Sequence, residues 1–169
     1  MRVSMWSYAD SPIGPLGLAT DADGVVVARA FDGVGPGLER TVQRAWPQAE
    51  LVAGDPVEAV VEALDSYFSG RRNALQTVAW RVPGEDFQTR VWRELAQVPV
   101  GTTITYGEMA KRAGEPGAAQ AAGVALNRNP IPLILPCHRV VGHDGAMVGF
   151  GGGVERKSWL LAHEGALLI

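Results

Sequence analysis

Apolar and polar positions change their period along the chain, and each change marks an element. Leu16-Gly17-Leu18-Ala19-Thr20 and Val25-Val26-Val27-Ala28-Arg29-Ala30-Phe31 are β-rich runs separated by Asp21-Ala22-Asp23-Gly24. Asp-Gly turn chemistry between such runs predicts a hairpin. A helix is predicted over about 37–46 and a stronger one over 56–69. In the latter, Val57, Val60, Val61, Leu64 and Phe68 form an apolar stripe, with Asp55 as N-cap, Pro56 at the first helical position and Gly70 as the stop. Residues 77–82 alternate like a strand returning to the sheet, and Pro83-Gly84 then breaks the pattern.

Beyond that break the period is helical. Phe87, Val91, Trp92 and Leu95 define an amphipathic helix that ends before Pro99 and Gly101. Thr105-Tyr106-Gly107-Glu108 has capping-box spacing and opens a short helix stopped by Gly114. After Glu115-Pro116-Gly117, residues 118–126 form a helix of very small residues. Two short helices joined by a Gly-containing turn suit a helix-turn-helix, and the pattern alone suits a plain αα-hairpin equally well. The expected fold is therefore α+β, with a small α+β domain over 1–83 and a mostly helical domain over 84–169.

Composition adds limits. With 169 residues, 47% of them hydrophobic, the chain can bury a real core. A single cysteine excludes a disulfide framework and fits a reducing compartment, and the first residues lack the apolar stretch of a signal peptide. No segment approaches the roughly 20 apolar residues that span a bilayer. A cytoplasmic protein without membrane partners is expected, and a monomer, since no heptad seam is present. The net charge of −3 argues against nucleic acid at first sight, yet it lies entirely in 1–83; residues 87–139 hold six Lys/Arg against three Asp/Glu. Phosphate binding follows local potential, so a basic surface is compatible with the whole-chain charge.

The chemistry-bearing segment is Pro136-Cys137-His138-Arg139-Val140-Val141, behind the apolar run 131–135. Cys137 admits three readings. It can be a small buried hydrophobe. It can be a nucleophile, in which case it needs activation, because a thiol of pKa ~8.5 is only slightly ionised at neutral pH. As a metal ligand it lacks company: no second cysteine exists, and His138, His143 and His163 all lie near the C-terminus. Neither metal nor cofactor is expected. Adjacent residues of a strand face opposite ways, so either the chain turns at Cys137 or His138 acts through an intermediary.

These residues resemble the O6-alkylguanine-DNA alkyltransferases, the methylated-DNA–protein-cysteine methyltransferases. Around Pro-Cys-His-Arg, the segments Gly101-Thr102-Thr103-Ile104-Thr105-Tyr106-Gly107-Glu108-Met109-Ala110, Asn129-Pro130-Ile131-Pro132, Gly149-Phe150-Gly151-Gly152-Gly153 and Trp159-Leu160-Leu161-Ala162-His163-Glu164-Gly165 occur in the family's order and spacing. The resemblance runs from about Phe87 to Gly165, with a looser likeness of the N-terminal part to the family's small ribonuclease-H-like domain.

The resemblance implies single-turnover DNA repair. Cys137 would take the alkyl group from O6-alkylguanine, or from O4-alkylthymine, in an irreversible in-line displacement. His138 would accept the thiol proton through a water, Glu164 would orient His138, Tyr106 would donate to the departing guanine, and Asn129 would tie the helical pair to the active-site segment. The partner would be alkylated double-stranded DNA, entered from the minor groove with the guanine flipped out. Gln120, Ala118, Ala119, Ala121, Gly123, Arg128, Arg139 and Thr105 would contact that DNA, and Met147, Val148, Phe150 and Gly151 would line the base pocket.

One position departs from the family: Gln120 stands where an intercalating arginine is expected, which predicts weaker flipping. This leaves an alternative, a thiol-bearing homologue that accepts alkyl groups from a non-duplex or non-DNA substrate. Binding-only relatives lack the cysteine, which Cys137 argues against. A Cys-His hydrolase or peroxidase would regenerate its thiol rather than lose it.

Overall fold

The computed structural model describes residues 1–145 and 153–166. The chain forms two compact units, Met1–Pro83 and Gly84–Ile169, of α+β class.

In the first unit, four strands form a mixed sheet of order β3-β2-β1-β4: β1 Arg2–Tyr8, β2 Leu16–Thr20, β3 Val26–Phe31 and β4 Glu50–Ala53. The expected hairpin is β2–β3, antiparallel with Ala19 opposite Ala28. The Asp21 carboxylate holds its turn by accepting from the amides of Asp23 and Val25 at 2.9 and 3.1 Å. β1 and β4, which the sequence pattern did not single out, pair in parallel from Arg2–Glu50 to Met5–Ala53. Strand alternation then sorts the two faces. Val3, Ala19 and Ala28 pack with Leu38 and Val42 of α1 Pro36–Ala45. On the other face Tyr8 stacks on Phe68 of α2 Glu58–Phe68 and donates to Asp65. Gly17 is required at the close approach of the next loop, because a Cβ there would stand 2.3 Å from the Gly33 carbonyl oxygen.

Two expectations in this unit are corrected. The second helix begins at Glu58 with extended Val57 as its N-cap, so Asp55 and Pro56 lie before it. Residues 77–82 do not form a strand: Ala74–Thr77 is a 3₁₀ turn, and only Trp80 bridges to Val26. The Arg81–Asp21 ion pair at 2.8 Å helps to hold this segment beside the hairpin.

The second unit is mostly helical. Helix α3 Phe87–Leu95 starts where Asp86 accepts from the amide and hydroxyl of Thr89, both at 3.0 Å. Helix α4 Tyr106–Arg112 is capped by Thr105, whose hydroxyl accepts from the Glu108 amide at 3.1 Å. Helix α5 Ala119–Asn127 packs its Ala122, Ala125 and Leu126 face inward, and buried Trp92 of α3 donates to the Ala125 carbonyl at 2.7 Å. A two-stranded parallel ladder joins β5 Ile104–Thr105 to β6 Val140–Val141. Helix α6 Val154–His163 ends the described chain; residues 154–163 were read above as a motif and not as a helix. No helix among the described residues is long and apolar enough to cross a membrane.

Candidate active site

The β5–β6 ladder carries two segments to one place: the start of α4 with Tyr106, and the turn before β6 that holds Cys137. That turn is built step by step. Asn129, buried after α5, donates from Nδ2 to the Leu135 carbonyl at 2.8 Å and accepts from the Ile131 amide at 3.0 Å. Between these anchors Leu133 takes a left-handed φ of 77°, a conformation that costs an L-residue about 1 kcal/mol and must be held by its surroundings. The Asn129 bonds and the Leu135 amide bond to Ile131 O at 2.9 Å supply that hold. The chain then reverses tightly at Pro136, whose φ of −80° and ψ of 71°, with the Cys137 amide donating to Leu135 O at 2.8 Å, are those of an inverse γ-turn. One 3₁₀ turn, Cys137–Arg139, follows. The chain thus turns sharply at the cysteine, and strand alternation does not constrain His138.

His138 and Glu164 have fully buried side chains and meet across 26 positions, Nε2 to Oε2 at 2.9 Å. Arg139 grips the same carboxylate with two prongs, Nε to Oε1 at 2.8 Å and Nη2 to Oε2 at 3.0 Å, and donates from Nη1 to Val98 O at 2.8 Å. This corrects one expectation: Arg139 was assigned to DNA contact, but it is buried and its guanidinium is taken up by Glu164 and Val98. Burial works to raise the Glu164 pKa, yet the hydrogen bonds and charges of His138 and Arg139 outweigh it and bring the carboxyl down to about 2. Burial likewise pulls the His138 imidazole below its ordinary value, against the opposing pull of Glu164. At neutral pH the pair is a neutral imidazole that donates its Nε2 proton to an ionised carboxylate. The buried Nδ1, which has no hydrogen-bond partner among the described residues, is then the basic nitrogen.

Tyr106 is half-buried at the first position of α4, its ring 3.9 Å from where a Cβ on Gly123 would stand, so α4 and α5 meet at that ring. Burial first, and then the charge of Cys137, raise the phenol pKa. The tyrosine therefore keeps its proton near the sulfur and can give a hydrogen bond. Cys137 itself is buried, at 8% exposure.

The remaining expected residues fall into three groups. Gln120, Ala121 and Arg128 are exposed on α5 or at its C-cap, and Val124, not picked out from the sequence, joins them at 49% exposure. Ala118, Ala119, Gly123 and Thr105 are half-buried, and the Thr105 hydroxyl is engaged as the α4 cap. Met147, Val148, Phe150 and Gly151 lie outside the described residues. Lys157 is a buried cation at this site that sequence reasoning missed; its Nζ donates to Val140 O at 2.6 Å.

Comparison with known proteins agrees with this arrangement. Residues 86–166 match the family described as 6-O-methylguanine DNA methyltransferase, DNA binding domain. A methylated-DNA–protein-cysteine methyltransferase of Shigella flexneri is 45% identical over 108 residues, covering 64% of this chain and 63% of that protein, less than two thirds of its length. Its counterpart from Salmonella typhimurium is 35% identical over 161 residues. The crystal structure of Mycobacterium tuberculosis OGT in complex with DNA superposes with a TM-score of 0.76 at 36% identity, covering 98% of this chain and 94% of that one. Because the Salmonella match extends over 94% of both proteins, the chain belongs to the methylated-DNA–protein-cysteine methyltransferase family.

Proposed function

We propose that the protein repairs DNA by transferring the alkyl group of O6-alkylguanine to Cys137, irreversibly and once per molecule. The observation that carries this reading is the buried Cys137 turn built beside a neutral His138, an ionised Glu164 and Arg139, in a chain of this family. His138 Nδ1 takes the thiol proton through a water, while Glu164 fixes the tautomer that leaves that nitrogen basic. The sulfur attacks the alkyl carbon, a C–S bond forms and the C–O6 bond breaks. Its electron pair passes to the guanine, which Tyr106 meets with a hydrogen bond so that no full anion is expelled. Asn129 holds the Ile131–Leu135 loop and, through it, the position of the sulfur.

In this reading the 84–169 unit binds DNA and performs the transfer, and 1–83 is the ribonuclease-H-like domain. Helices α4 and α5 act as a helix-turn-helix. The exposed face of α5, with Gln120, Ala121 and Arg128, enters the minor groove of a duplex whose alkylated guanine is flipped toward Cys137. The protein acts as a monomer in the cytoplasm. The test is Cys137→Ala, assayed for transfer of labelled methyl from O6-methylguanine duplex and, separately, for binding of that duplex. Transfer should vanish and binding persist; transfer that survives the substitution would overturn the assignment.

A further inference from the structure

A lysine is almost never fully buried without a compensating partner, because removing an ammonium from water costs several kcal/mol. Lys157 nevertheless has 1% exposure. It lies in the first turn of α6, and its Nζ reaches back to the carbonyl of Val140, the residue that follows the Cys137–Arg139 turn. One bond to a neutral carbonyl orients the ammonium but does not balance its charge. A methionine would fill similar space at no such cost.

The charges around the sulfur can be sorted. Arg139, on the same turn, is matched by the two oxygens of Glu164 at the C-cap of α6. His138 is neutral at ordinary pH, and the Lys157 charge adds to what keeps it so. Tyr106, entering from α4, holds its proton. The Lys157 charge is directed at the cysteine: burial pulls the ammonium pKa down, and attraction to Cys137 pushes it back up.

We propose that Lys157 is a positioning residue for the nucleophile, a buried ammonium pinned by Val140 O that stabilises the Cys137 thiolate. With it, the sulfur that forms the C–S bond is largely ionised before the alkyl carbon arrives. The thiol proton has left by way of His138, and the displaced electron pair is received by the guanine. The same charge discourages protonation of His138, so the base stays available. This role deepens the alkyl-transfer reading and rests on it, but it can be measured without DNA.

The experiment is a pH titration of thiolate ultraviolet absorbance in the full chain, taken as the difference from Cys137→Ser. It is paired with the rate of alkylation by iodoacetamide across the same pH range, for wild type, Lys157→Met and Lys157→Arg. Wild type should titrate below the ordinary thiol value of ~8.5. Lys157→Met should raise the midpoint by about one unit or more, slow alkylation about tenfold at neutral pH, and recover the rate at high pH. Lys157→Arg should restore most of the shift.

An unchanged midpoint in folded Lys157→Met, or a rate loss equal at every pH, would overturn the proposal and mark Lys157 as structural. Should Lys157→Met fail to fold, the wild-type titration still decides, since a midpoint at or above ~8.5 overturns it. A lowered midpoint that depends on Lys157, in a protein that takes no alkyl group from DNA, would leave this inference standing and remove the proposed function. Transfer with an unshifted midpoint would do the reverse.

Discussion

Replacing Glu164 with glutamine removes one charge from a fully buried carboxylate while nearly preserving its shape, which makes the cost calculable. In the native protein that carboxylate accepts from His138 Nε2 and from two guanidinium nitrogens of Arg139. Its pKa is lowered to about 2, against an ordinary glutamate value of ~4.3. At about 1.4 kcal/mol per pKa unit, the ionised form contributes about 3 kcal/mol at neutral pH. An independent argument gives the same size: breaking a buried ion pair by removing one partner costs about 3–5 kcal/mol, because here Arg139 would be left charged and unmatched. The folded-state pKa is depressed, so this stability is fully present above the unfolded value and fades as pH falls toward the folded one. The gap between wild type and Glu164→Gln should thus be about 3 kcal/mol at pH 7 and shrink to about 1 kcal/mol near pH 2.5. Denaturant titration of both full-length proteins at the two pH values measures it. A gap under about 1 kcal/mol at pH 7, or one unchanged at low pH, would refute the claim that an ionised Glu164 holds the site together.

Other outcomes follow from the same geometry. Tyr106→Phe removes the hydrogen bond to the departing base and should slow transfer on the order of 10²-fold with duplex binding kept, read in single-turnover kinetics; an undiminished rate would remove Tyr106 from the reaction. Asn129→Ala strands the Leu135 carbonyl and the Ile131 amide in the interior, costing about 1–3 kcal/mol of stability and lowering the transfer rate of the folded fraction as the turn loosens; thermal melts and rates together check it. Gln120→Arg adds a positive charge to the exposed face of α5, so duplex affinity should rise and its salt dependence steepen by up to about one unit. An affinity indifferent to that charge would place α5 away from the DNA.

Much of the chain was readable because its signals are local. The Asp-Gly hairpin, the Asp86 cap of α3 and the Thr105 cap of α4 each depend on residues within four positions of one another. The parallel β1–β4 pair was not readable, since it brings together Arg2 and Glu50 through a crossover and leaves no local mark. At 56–69 the Asp-Pro start signal was present but the chain entered the helix two residues later, with Val57 extended. At the site, Cys137 and His138 stood out as neighbours. Arg139 was misplaced because an arginine is ordinarily exposed, and its burial depends on a carboxylate 25 positions away and on the Val98 carbonyl. Lys157 escaped notice for the same reason: nothing between Arg156 and Ser158 says that this cation points inward.

The central claim is that Cys137 keeps the alkyl group. It is tested most directly by intact-protein mass after incubation with a short duplex carrying one O6-methylguanine, followed by peptide mapping. The account predicts a gain of one methylene that stops at one equivalent and maps to the peptide holding Cys137. An unmodified protein over a duplex that still carries its lesion, or a duplex repaired with the thiol regenerated, would contradict it.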